Sequence, residues 1–274
     1  DDAIDLHWWW RILAQLVAGG AVIAGGVQVA QIGPVFGFGP LALGDFSVVF
    51  TLLAVVGLVN ALNMIDGVDG LAGSVGFVCL AMLAGAAVYA GNIKLVVGLL
   101  LVLSTLAAFL VFNFRLPGGP PARIFLGDAG SGLLGLIIAW SAFRLTQSPT
   151  YPVSPILAPF LVAVPVLDCL VLMGRRIVAG KSPFEGDRNH LHHILSDAGY
   201  APHEICAVVA VSSLALGLAA AGLLKMGAPQ PLLLIIFCSL LIVHWGVTAR
   251  RARAVRFYAG FRRQAPATAA VRSR

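Results

Sequence analysis

A chain of 274 residues that is 59% hydrophobic and 11% charged, with a mean hydropathy of +0.93, is not built for water, since soluble domains carry roughly 25% charged residues. The net charge of +6 comes largely from the stretch after His244, which holds eight arginines and no acid. Beside apolar helices such a stretch reads as a contact with anionic lipid and not with nucleic acid.

A helix needs about 20 apolar residues to cross the hydrocarbon core of a bilayer. Segments at 9–31, 46–64, 71–90, 93–114, 129–147, 153–174, 204–226 and 230–249 qualify. The run Trp8-Trp9-Trp10 fits an interfacial aromatic belt at the start of the first. Proline and glycine clusters, such as Pro117-Gly118-Gly119-Pro120-Pro121 and Ala228-Pro229-Gln230-Pro231, punctuate the rest. Cys79, Cys169, Cys206 and Cys238 lie in apolar segments without metal-ligand spacing, which implies core packing and no disulfide framework. Neither an internal repeat nor a soluble domain is expected. The fold class that follows is all-α: a polytopic integral membrane protein with about eight transmembrane helices over residues 1–250 and a basic tail at 251–274.

Alternating these spans places the N-terminus, the tail and the loops after Asn63, at 115–127 and at 175–201 on one side. That side collects fifteen of the eighteen Lys and Arg residues, leaving Lys94, Arg144 and Lys225 for the other, so it is expected to be cytoplasmic. Of the twelve acids only Asp45 falls on the outer side. Acids do little to set topology, so their crowding on one face points to a site.

Four groups converge there. Asp1-Asp2, with Asp5 nearby, precede the first span. At the end of the second, Asn60, Asn63, Asp66 and Asp69 recur every three residues, a spacing that keeps them neighbours on a winding helical stripe, while Gly67 and Gly70 let the backbone bend toward something small. Asp128 begins the fifth span in the glycine-rich run Phe125-Leu-Gly-Asp-Ala-Gly-Ser-Gly132, where the positive end of the helix dipole favours its ionised form; an ordinary helix cap is the alternative. The fourth group is Arg188-Asn189-His190-Leu191-His192-His193. Its histidines suit contacts to phosphate, nucleotide or sugar; a structural loop and a zinc site are the alternatives, although a fourth zinc ligand is not obvious. Carboxylates gathered at a membrane edge repel one another unless a cation sits among them. All-oxygen ligands suit a hard ion, magnesium or manganese, which is usually completed by substrate phosphates. Asp168, inside the sixth span, is expected either to support this site or to pair with Arg175 or with a group on another span.

Taken together, Asp1-Asp2, Asn60-Ala-Leu-Asn-Met-Ile-Asp-Gly-Val-Asp-Gly70, Phe125-Leu-Gly-Asp-Ala-Gly-Ser131 and Asp187-Arg-Asn-His-Leu-His-His193 resemble the polyprenyl-phosphate N-acetylhexosamine-1-phosphate transferases. The resemblance runs from residue 1 to about 250 and is closest to the bacterial branch that moves GlcNAc-1-phosphate from UDP-GlcNAc to undecaprenyl phosphate. The separated histidines differ from the three consecutive ones of the branch that transfers phospho-MurNAc-pentapeptide. Branches using UDP-FucNAc or UDP-QuiNAc remain open. The family has more spans than the eight seen here, so the resemblance implies that about three helices and a cytoplasmic loop precede residue 1.

Carried over residue by residue, the resemblance implies a magnesium-dependent transferase of the bacterial inner membrane that starts a surface polysaccharide, with possible oligomerisation. Asp128 and Asp66 would hold the metal, and Asp66 and Asp69 would lie at the diphosphate with Asn60 and Asn63 in support. Asp1 or Asp2 would orient or deprotonate the lipid phosphate, and Arg188, His190, His192 and His193 would contact the nucleotide sugar. A cation-coupled transporter is the rival from another class, but transporter sites tend to lie near the midplane, often between repeated halves, and here most of the acids sit at span ends on one face and no repeat is evident.

Overall fold

A computed structural model describes residues 8–148, 150, 152–183 and 189–264. The protein is a polytopic helical membrane protein. Among the described residues six helices are long and apolar enough to cross a bilayer, and a bent pair makes up to seven if it is counted as one span. The chain opens with α1 (Trp8–Ala24), a shorter apolar helix, followed by α2 (Ser47–Ile65), α3 (Leu71–Tyr89), α4 (Ile93–Asn113) and α5 (Gly127–Thr146). Next come the bent pair α6 (Ala158–Leu161) and α7 (Ala163–Val178), the short α8 (Leu191–Asp197), α9 (Pro202–Lys225), α10 (Gln230–Thr248) and α11 (Arg251–Gln264).

The sixth segment departs from expectation. It is not one straight span across 153–174: the helical stretch Pro155–Leu161 meets α7 at 85°. Its prolines account for the break. Pro155 and Pro159 start the first stretch, and Pro165 sits in the first turn of α7, positions where a missing amide hydrogen costs little. Val162, between the two, takes a non-helical φ of −124° and ψ of 30°.

α2 and α3 lie at the centre of the bundle. α2 packs against α1, α5 and α7, whereas α3 packs against α4, α5 and α9. Val55, Leu62, Leu80, Leu83 and Ile138 are fully buried between them, so this core is an apolar interior cut off even from lipid. At one end the 25–46 connection folds over the bundle: the Val29 amide donates to Thr51 Oγ1 (2.9 Å), and Gln147 Oε1 accepts from the Ala30 and Gln31 amides. The start of α1, the ends of α2, α4, α7 and α10, and the starts of α3, α5 and α9 meet at the opposite end.

The tail differs from a helix laid freely on lipid. α11 folds back on α8 and the start of α9, where Arg251 pairs with Asp197 (2.5 Å) and Arg262 with Glu204 (3.5 Å), and Tyr200 Oη donates to the Tyr258 carbonyl (3.1 Å). Phe257 and Phe261 remain exposed on it.

Candidate functional site

The apolar run of α2 ends where Asp66 leaves helical geometry (φ −75°, ψ 40°), its amide donating to the Asn63 carbonyl (3.1 Å). A five-residue turn then reverses the chain into α3. Gly70 makes the reversal possible: it adopts φ +81°, and a Cβ there would lie 2.8 Å from the Phe114 ring. Asn113, the last residue of α4, clamps this turn. Its Oδ1 accepts from the Gly70 amide (3.0 Å) and its Nδ2 donates to the Ile124 carbonyl (2.8 Å). Asp69 holds the same loop, accepting from the Ala122 amide (3.2 Å).

The stripe of four polar residues is divided by its neighbours. Asn60 faces α1, donating to Gln15 Oε1 (2.7 Å) and to the Val56 carbonyl. Asn63 faces α5, donating to Asp128 Oδ1 (2.7 Å) and to Ser131 Oγ (3.0 Å). Arg11 of α1 pairs with the second oxygen of Asp128 at 2.9 Å. Asp128 is therefore no ordinary helix cap: it is the second residue of α5, whose cap position is Leu126, and its carboxylate is held from outside α5 by α1 and α2.

Asp66 stands near this arrangement with its proton affinity raised to about 7, first by burial and then by the negative charge of Asp128. Two carboxylates thus approach closely enough for the charge of one to oppose ionisation of the other. A divalent cation relieves that repulsion, so the chemistry of the two acids fits a hard metal ion. Among the described residues no three His, Cys, Asp or Glu side chains gather as a metal site. Two carboxylates nonetheless suffice for magnesium when substrate phosphates complete its shell.

The histidine group lies against the same turn. A Cβ on Gly67 would stand 2.6 Å from His192 Nε2, so the imidazole packs directly on the backbone between Asp66 and Asp69. His192 is buried, and neither of its ring nitrogens has a hydrogen-bond partner among the described residues. Burial lowers its proton affinity to about 3, with the neighbouring His193 and His190 adding to the effect. The rings of His192 and His193 lie 4.2 Å apart. His190 is also buried, and its Nδ1 meets Asp168 Oδ2 at 2.9 Å.

Asp168 is therefore paired, but not with Arg175. Arg175 instead donates to the Thr248 carbonyl (2.9 Å) and to the Trp245 carbonyl, with its guanidinium over the Trp245 ring. Asp1, Asp2 and Arg188 lie outside the described residues. Of the remaining expected positions, the fold brings Asn63, Asp66, Asp69, Asp128 and His192 to one turn and its surroundings. It places Asn60 to one side, and His190 one ring behind His192 at 5.7 Å.

Sequence reasoning missed Asn113, Ser131, Gln15 and His244, and counted Arg11 only for topology. Asn113 had a usable signal, since an amide ending the apolar run 106–112 of α4 resembles Asn63 near the end of α2. His244 had another: an imidazole within an apolar span needs a partner, as does Asp168.

Residues 1–146 match the family described as Glycosyl transferase family 4. The chain is 30% identical to an undecaprenyl-phosphate alpha-N-acetylglucosaminyl 1-phosphate transferase of Yersinia pestis over 266 residues, 96% of this chain and 73% of that protein. The protein of the same description from Escherichia coli strain K12 is 30% identical over 261 residues, 94% of this chain and 70% of that one. A third, from Haemophilus influenzae, is 33% identical over 200 residues, 73% of this chain and 56% of the relative.

Proposed function

Because this chain belongs to glycosyl transferase family 4, we propose that it transfers GlcNAc-1-phosphate from UDP-GlcNAc to undecaprenyl phosphate, releasing UMP. The product would be the lipid-linked first sugar of a cell-surface polysaccharide. The transferase would comprise residues 1–250 as a transmembrane domain in the bacterial inner membrane, with residues 251–274 as a cytoplasmic tail. The crowding of cationic residues at the end carrying the acids supports a cytoplasmic site.

The chemistry follows from the charges. An oxygen of the lipid phosphate attacks the β-phosphorus of the UDP-sugar, and the bond to the UMP oxygen breaks. Two anions must approach, so catalysis is mainly neutralisation and positioning. The observation that carries the reading is the pair Asp66 and Asp128, with Asn63 and Arg11 holding the second while burial and its charge act on the first. These two carboxylates would hold magnesium, or manganese, which when bound neutralises the diphosphate and the leaving UMP. Asp69 ties the 114–126 loop to the acidic turn by accepting from Ala122, which would keep both beside the diphosphate. Asp1 or Asp2 would receive or orient the lipid phosphate. Arg188, His190, His192 and His193 would contact the nucleotide sugar, with Asn60 bracing α1 against α2.

The direct test supplies the protein in detergent with sugar-labelled UDP-GlcNAc, undecaprenyl phosphate and magnesium. Labelled lipid and stoichiometric UMP are expected. Failure of every UDP-N-acetylhexosamine to give lipid product would sink the transferase reading, whereas product from UDP-FucNAc or UDP-QuiNAc alone would change only the sugar.

A further inference from the structure

Asp168 lies in α7 and His244 in α10, so neither belongs to a motif that carries the resemblance. The fold nevertheless joins them to one that does. The buried Asp168 carboxylate meets three groups: His190 Nδ1 on Oδ2 at 2.9 Å, and the Leu191 amide at 3.1 Å and His244 Nε2 at 3.2 Å on Oδ1. An ionised carboxylate only accepts. Each ring nitrogen facing it must therefore carry a hydrogen, which assigns Nδ1–H to His190 and Nε2–H to His244. Leu191 is the first residue of α8, so the same carboxylate satisfies one of the amides that a helix start leaves unpaired.

This arrangement leaves His190 Nε2 with no hydrogen-bond partner among the described residues. The His190 ring lies nearly parallel to that of His192, at 14° and 5.7 Å, and His192 packs on Gly67 beside Asp66. A second clasp keeps α7 and α10 in register one turn further on. Thr248 Oγ1 donates to the His244 carbonyl (2.6 Å) and accepts from Arg175 (2.8 Å). Two crossing helices thus converge on the orientation of one imidazole at the candidate site.

We propose that Asp168 and His244 are positioning residues for nucleotide-sugar recognition, holding His190 by Nδ1 so that Nε2 is its contact atom for a polar group of the UDP-sugar. This rests on the transferase reading given above. Asp168 acts on substrate only through His190, and His244 only through Asp168. A purely structural role, capping α8 and joining α7 to α10, would affect both substrates alike through the amount of folded protein. Positioning affects one of them.

The experiment measures KM for UDP-GlcNAc and for undecaprenyl phosphate separately, beside thermal unfolding, in four variants. His244→Leu removes the donor to Asp168, and His244→Gln keeps an amide donor of similar reach. His190→Asn keeps a polar group near Nδ1 and loses Nε2, and His190→Gln does the reverse. Expected for His244→Leu is a KM for UDP-GlcNAc raised by about 10-fold to 100-fold, the range seen when a group that orients a ligating histidine is removed. The KM for undecaprenyl phosphate should not change, and His244→Gln should restore most of the loss. His190→Gln should retain more nucleotide-sugar affinity than His190→Asn. Equal effects on both substrates, or His190→Asn performing as well as His190→Gln, overturns the proposal while the transferase reading stands. Wild-type protein that transfers nothing overturns the transferase reading, and this proposal with it. If His244→Leu does not fold, the His190 pair and the 15N spectrum of histidine-labelled wild-type protein decide. A His190 signal lacking a protonated Nδ1 refutes the tether.

Discussion

Replacing Asp66 by asparagine removes a carboxylate whose ionisation the fold opposes. In the unfolded chain this group titrates near 3.8, and in the folded protein near 7, because burial and the charge of Asp128 both disfavour the anion. Between those values the folded state holds a proton that the unfolded state has released. Stability contributed by the neutral acid is complete below pH 3.8 and is lost as pH rises through about 7. At 1.36 kcal/mol per unit, the displacement corresponds to about 4 kcal/mol as an upper bound. Asp66 is half-buried, and solvent screening reduces this to about 1–2 kcal/mol. For a protein of this size that is a rise in melting temperature of about 2–8 °C for Asp66→Asn at pH 8, with a smaller gain at pH 5. The assay is thermal unfolding in detergent with EDTA at both pH values, repeated with magnesium and UDP-GlcNAc. Those ligands should raise the wild-type melting temperature at pH 8 and close the gap to the variant. Turnover of Asp66→Asn should fall by about 100-fold or more, because an amide cannot supply the charge. A variant no more stable than wild type at pH 8, or a gain that does not shrink toward pH 5, would refute the electrostatic reasoning.

Three further outcomes follow from the same geometry. Asn63→Leu removes the donor that Asp128 and Ser131 share, so transfer should fall by about 100-fold while the melting temperature drops by only a few degrees, read by product formation beside unfolding. Asn113→Ala strands the Gly70 amide and the Ile124 carbonyl and should cost about 1–3 kcal/mol; hydrogen exchange should rise in both the 66–70 turn and the 114–126 loop, and a rise in only one would contradict the clamp. Gly67→Val drives a side chain into His192 and should cost nucleotide-sugar affinity more than lipid-phosphate affinity, which separate KM measurements will resolve.

The membrane class and the identity of the acidic turn were legible because both rest on local pattern. Uncharged runs of span length have one stable setting, a lipid bilayer, and Asn63, Asp66 and Asp128 could be placed at one face by alternating the spans. The 85° break before α7 was hidden because its prolines also fit a helix start, and hydropathy averages over the bend. Asn60, Asn63, Asp66 and Asp69 share a spacing, but spacing gives direction only relative to their own helix. Which neighbour each one meets depends on how α1, α5 and the 114–126 loop pack around α2. Asn60 therefore turned toward Gln15, and Asn63 toward Asp128. The same limit hid the contacts of Asp168 with His190 and His244, which are 22 and 76 residues away along the chain. Burial of an acid within a span demanded partners, and only the packing of α7 against α10 and α8 could say which they are.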